Sequence, residues 1–176
     1  MSRNEKINQQ MRDTLRRAVA DGVVKVGIPA ADGTTTEWCW AKRVSKNHAK
    51  LMNCCVFGDG PGYGDIVEFR EQPDGPHKVL KDFVRVVSTG SRQCEFIYAT
   101  DDEVKDRSPA LDRELLHRLQ AIRETLDQLP EDVRPICLEG LVPGMGCAAF
   151  PEAVAAPEAE LYLAACPFVI AQHAGQ

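Results

Sequence analysis

Apolar residues along positions 4–20 recur at three- and four-residue spacing (Ile7, Met11, Leu15, Ala18), and Asp21-Gly22 follows as a stop. This pattern predicts an amphipathic N-terminal helix within residues 1–22. From residue 23 to 100 the period shortens. Six runs, "VVKVGIP", "TEWCWAKRV", "AKLMNCCVF", "DIVEFRE", "HKVLKDFVRVV" and "RQCEFIYAT", are separated by Gly-, Asp-, Asn- and Pro-containing turns. Short runs of this kind predict an antiparallel meander, and curling into a partly closed barrel is the expected way to avoid open edges. In 109–129 the helical period returns, with Leu111, Leu115, Leu119, Ile122, Leu126 and Leu129 on one stripe. Ser108 is placed to cap that helix and Pro109 suits its first turn, so a long amphipathic helix packed on the sheet is expected. Beyond Pro130 the chain is rich in Pro, Gly and Ala, with extended structure expected at "PICLEG" and "ELYLAACPFVI" and a long connection between them.

The fold class is therefore α+β: a twisted sheet or partly closed barrel of about six strands, with one helix before it and a long one after it. Its expected divisions are 1–22, 23–100 and an acidic 101–176 packed on the β domain. The 176 residues suit one domain with additions, and 44% hydrophobic with 27% charged residues is ordinary for a globular chain. No apolar run is long enough to span a membrane, and no apolar stretch follows the N-terminal charges as a secretory signal requires, so a cytoplasmic location without membrane contact is expected.

Charge changes the picture only when it is divided. The net charge is −5, yet residues 1–100 carry 15 Lys+Arg against 12 Asp+Glu, whereas 101–176 carry 6 against 14. Only the first part could present a basic patch to nucleic acid. The carboxylates Asp101, Asp102, Glu103 and Asp106 open the acidic part and could meet a basic protein partner.

The chain offers four candidate chemistries. "CCVFGDGPGYGD" (54–65) places glycines at every second position, but a phosphate cradle needs a helix after it and a strand follows instead. Glycine's backbone freedom in a turn accounts for the pattern. Seven cysteines with no C-x-x-C pair argue against a zinc ribbon or a disulfide framework, so no metal or other cofactor is expected. Thiol or hydrolytic catalysis would use Cys54 or Cys55 with His48, supported by Asp59 and Asp65, if a hairpin brought them together. Trp38 and Trp40, on one face of a strand, are either core or a stacking platform for single-stranded nucleic acid; Lys42, Arg43, Lys46 and Lys50 nearby keep the second reading open.

The "EWCWA" strand, "KLMN" with Phe57 soon after, "YGDIVEF" and "VVSTGSRQCEFIYA" together resemble a bacterial family catalogued as domain of unknown function 4265, over residues 38–99. The departure is "NCCVFGDGPGYGD", where that pattern has a shorter approach to its Gly-Asp step. The resemblance implies a small bacterial cytoplasmic module and contributes no catalytic residues. The leading expectation is a non-enzymatic binding or regulatory protein of immunity or inhibitor type, acting on a protein partner through its acidic surface. A Cys54/Cys55 enzyme with His48, and nucleic-acid binding on the Trp38/Trp40 strand, are the alternatives.

Overall fold

The computed structural model describes residues 20–30, 34–55, 60–73, 79–105 and 108–174. The expected N-terminal helix, Asp59 within the glycine loop, and Asp106 lie outside them. The described strands are β1 (Val23–Pro29), β2 (Thr36–Arg43), β3 (His48–Leu51), β4 (Ile66–Pro73), β5 (Val79–Ser88), β6 (Arg92–Ile97), β7 (Cys137–Val142), β8 (Met145–Phe150) and β9 (Ala171–Ala174). Three helices accompany them among the described residues: α1 (Asp101–Lys105), α2 (Pro109–Leu126) and α3 (Ala156–Ala164).

The architecture is α+β with two sheets. The first takes β1 to β5 in chain order, each antiparallel to the next, and β1 also meets β5 in parallel at Gly27↔Asp82. The second has the order β7-β8-β6-β9, all antiparallel. Alternation decides what each strand buries. Val26, Ile28, Cys39, Ala41, Ala49, Leu51, Val67 and Phe69 point into the first core. α2 and α3 cover the second sheet, where Leu115, Ile122, Leu126 and Leu163 pack with Phe96 and Phe150. Among the described residues no helix is long and apolar enough to cross a membrane.

The six strand-like runs do not form one sheet. Five do, and the sixth becomes β6, whose partners β8 and β9 come from residues 145–174. Those partners lie far along the chain, so local pattern could not show them. "MGCAAF", expected to be connection, is β8 at the centre of the second sheet. Its small residues are weak strand formers, but Gly146 sits directly under the Phe96 ring, where an added Cβ would lie 2.5 Å from the ring carbon. The first five residues of "ELYLAACPFVI", expected to be extended, are helical, because Ala159 and Leu163 bury one face at i, i+4 and Pro157 suits the first turn.

The long helix forms as its pattern predicts. The Ser108 hydroxyl accepts the Leu111 amide hydrogen at 3.2 Å, and Leu115, Ile122 and Leu126 are buried. Arg118 of this helix donates to the Tyr98 carbonyl at 3.1 Å and to Glu103 at 2.9 Å, fastening α1 to the end of β6. Glu103 also accepts from the Thr100 amide at 2.8 Å and from the Thr100 hydroxyl, a capping-box arrangement. The Thr100 amide first, then Arg118, pull its carboxyl from the ordinary 4.5 down to about 2. A depressed carboxylate stabilises the fold above its unfolded value, and that stability is lost as pH falls through the folded one. Acid titration should therefore show α1 loosening between about pH 4.5 and 2, and Glu103→Gln should flatten that part of the stability profile. An unchanged profile in the variant would refute the assignment.

Candidate functional site

The connection from β3 to β4 carries the adjacent cysteines. Extended backbone sends successive side chains to opposite sides, and here the two sides are different cores. Cys55 enters the first core, where its sulfur lies 3.3 Å from that of Cys39. Cys54 enters a seam between the sheets with Cys147, Ala149, Cys137, Tyr63 and Leu141. The Cys54 amide donates to Glu139 Oε2 of β7 at 2.8 Å, so this segment also ties the sheets together through a polar contact.

Neither thiol is activated. The Cys55 thiol is pushed up by its hydrogen bond with Cys39 and by burial. Cys54 shares hydrogen bonds with Cys137, which favours its thiolate, and with Cys147, which opposes it; burial adds to the opposition and the thiol ends well above its ordinary range. A nucleophilic cysteine needs the reverse shift. His48 sits on the outer side of β3 with Lys50, while Ala49 and Leu51 face inward. Its Nδ1 pairs with the Ser45 hydroxyl at 2.8 Å. His48 therefore stands on the outer side of β3, whereas Cys55 is buried in the first core and Cys54 in the seam.

Asp65 is a buried junction residue. Its carboxylate accepts the Gly62 amide at 2.8 Å and the Gly90 amide at 2.7 Å, with the Ser91 amide as a third donor. Burial, the largest influence, raises its carboxyl above the ordinary value against the pull of these amides. Glycine is required on both sides of the junction. Gly64 has φ +85°, and a Cβ on Gly90 would fall 2.2 Å from the Gly64 carbonyl oxygen. The described end of the glycine loop therefore docks onto the β5–β6 turn, with Asp65 as the peg. Asp65 is committed to that turn, and the hydrogen-bonding partner of His48 is Ser45.

The outer face of β1, β2 and β3 is differently built. Trp38 and Trp40 share it two residues apart, roughly 7 Å along the strand at the usual rise. Trp38 is 40% exposed and Trp40 half-buried, so neither ring belongs to the buried core. Trp38 stands opposite Gly27, and an added Cβ at Gly27 would come 3.0 Å from the indole, so the missing side chain is what lets the ring settle there. Trp40 stands opposite Lys25, whose Nζ lies 4.5 Å from the ring centroid. Lys42 and Lys50 are register partners on the same face, and both are exposed. Among the described residues no carboxylate forms an ion pair with Lys25, Lys42 or Lys50. Arg43, in contrast, faces the other way and pairs with Glu71.

The acidic candidates divide. Asp101 and Asp102 are exposed, with Asp102 paired to Lys105, while Glu103 is occupied by Thr100 and Arg118. Sequence reasoning missed Lys25 as a neighbour of Trp40, and it missed Cys137, Glu139 and Cys147 as neighbours of Cys54. The first could have been found from the β1–β2 hairpin pairing; the second required knowledge of how the two sheets meet.

No family model matches this chain, and no curated protein matches it. A solved structure from Neisseria gonorrhoeae, described as a novel crystal structure of a hypothetical protein, is similar at 12% identity. The similarity covers 76% of this chain and 77% of that one, with a TM-score of 0.44.

Proposed function

We propose that this is a non-enzymatic binding protein whose ligand surface is the outer face of β1–β3, and that its ligand is single-stranded nucleic acid. The observation that carries the reading is the Trp38–Trp40 pair standing outside the core with Lys25, Lys42 and Lys50 around it. Aromatic rings on a strand offer successive bases a stacking surface, and lysines beside them answer the phosphates. The overall charge of −5 does not oppose this, since local potential governs association and the lysines of this face form no ion pair among the described residues. Enzymatic use of Cys54 or Cys55 finds no support in thiols that are raised and separated from His48.

Fluorescence-detected binding of a short labelled oligonucleotide tests the proposal. With three lysines neutralising phosphates, log K should fall against log salt with a slope of about −2. Trp38→Ala should weaken binding about 5- to 150-fold, the equivalent of roughly 1 to 3 kcal/mol per stacked base. Absence of binding at low salt would overturn the reading. The acidic face retains exposed Asp101 and Asp102. If a pulldown recovers one specific basic protein, and Asp101→Asn/Asp102→Asn abolishes its capture, an inhibitor- or immunity-type role on a protein partner replaces the nucleic-acid reading.

A further inference from the structure

The seam between the sheets holds an unusual group of side chains. Cys137 and Glu139 lie two residues apart on β7 and so share one face, and Glu139 is the register partner of Cys147 on β8. Cys54 reaches that face from the first sheet. Its sulfur, the Cys137 sulfur and a Glu139 carboxylate oxygen all lie within 4.8 Å of one another. Cys147, the register partner of Glu139, packs with Cys54 in the same cluster; its thiol donates to the Gln93 side-chain oxygen at 3.8 Å and would turn from it to add a third sulfur.

We propose that Cys54, Cys137, Cys147 and Glu139 form a binding site for a thiophilic divalent cation, zinc by preference, which would clamp the first sheet to the second. The ligand chemistry fits: zinc takes thiolate sulfur at about 2.3 Å and carboxylate oxygen at about 2.0 to 2.2 Å in tetrahedral geometry. Sulfurs so placed around one ion stand about 3.8 Å apart, so the three mutually close ligand atoms need to draw in by about 1 Å or less. Magnesium and calcium require oxygen ligands and are excluded by the sulfurs. The position of Glu139 is the second argument. Its carboxylate is turned toward sulfurs, with the Cys54 amide and the Cys137 thiol as hydrogen-bonding partners and no Lys or Arg paired to it among the described residues. A half-buried carboxylate among thiols is a poor choice for packing and a good one for a cation. Cys137 and Glu139 are both partly exposed, which leaves an entry path from solvent.

Binding would release the three thiol protons as the sulfurs become thiolates, and the ion would take the place of those protons; no electron is transferred. The site differs from the second sulfur pair, Cys39 with Cys55, which lies in the first core beside Glu37. That pair supplies the control. The site is also independent of the nucleic-acid reading.

The test is titration of the reduced, chelator-treated full chain with cobalt and then zinc. One equivalent of cobalt should produce sulfur-to-cobalt charge-transfer absorption with tetrahedral d–d bands, and zinc should displace it. Cys137→Ser and Glu139→Gln, at partly exposed positions, should each weaken the affinity at least about tenfold. Cys39→Ser should leave it unchanged, with circular dichroism confirming that each variant is folded. If the wild-type chain gives no charge-transfer band at equimolar cobalt, the site does not exist. If the band survives in Cys137→Ser and Glu139→Gln but vanishes in Cys39→Ser, the ion belongs to the other sulfur pair and the assignment is wrong.

Discussion

Asp65→Ala is expected to lower stability by about 3 to 5 kcal/mol, because each amide left unpaired in a buried setting costs roughly 1 to 3 kcal/mol. Asp65 is the buried acceptor for the Gly62 and Gly90 amides at 2.8 and 2.7 Å, and for Ser91 as well. These donors come from the glycine loop and from the turn between β5 and β6, so the loss would release the junction between the two sheets as well as one turn. Asp65→Asn should be milder, about 2 kcal/mol, since one oxygen still accepts while the new NH2 group opposes an amide donor. Urea unfolding checks both. The midpoint should drop with the slope unchanged, which separates lost stability from a change in the unfolded state. Asp101→Ala, exposed at the start of α1, should stay within about 0.5 kcal/mol of the parent. A loss below about 1 kcal/mol for Asp65→Ala would mean that water satisfies the amides and that the junction is not closed.

Gly90→Ala should be nearly as damaging, at about 3 kcal/mol, for a purely steric reason. The new Cβ would lie 2.2 Å from the Gly64 carbonyl oxygen and 2.3 Å from its carbon, and both obstacles are backbone. Neither strand end can easily retreat, since Asp65 grips the Gly90 amide and the Ser91 hydroxyl donates to the Tyr63 carbonyl. Gly64→Ala makes the informative comparison. Its Cβ would have room, with the nearest atom at 3.5 Å, but its φ of +85° suits only glycine well. That substitution should cost about 1 to 2 kcal/mol, the left-handed penalty alone. Thermal unfolding of the two variants should rank Gly90→Ala below Gly64→Ala. The reverse order would show that conformational strain, not contact between the backbones, governs this crossing.

Much of the fold was legible where the governing interactions are local. The α2 stripe, its Ser108 cap and Pro109 start lie within one stretch of chain. Likewise, β1 to β5 fall within short strand-like runs bounded by turn residues, and each pairs with its sequence neighbour, although β3 ends at Leu51 and leaves Cys54 and Cys55 of its run outside the strand. The sixth run misled because its neighbour in space is β8, fifty residues on, and because "MGCAAF" is too small in side chain to look like a central strand until Phe96 lies over Gly146. "ELYLAACPFVI" misled for the opposite reason, since its apolar run fits either period and packing of Ala159 and Leu163 selects the helix.

The site divides along the same line. Trp38 and Trp40 had to share a face because a strand repeats every two residues, but whether that face was core or surface depended on which side of β2 the first core occupied. For "CCVFGDGPGYGD", adjacency alone required Cys54 and Cys55 to diverge. Tertiary structure supplied their destinations: Cys39 in one core, and Cys137, Cys147 and Glu139 at the seam. The amino-acid sequence by itself determined periodicity, caps, turn positions and the alternation of side chains, all properties of a few consecutive residues. Only the tertiary structure decided which faces were buried and which distant thiols and carboxylates met, because those follow from the pairing of segments separated by most of the chain.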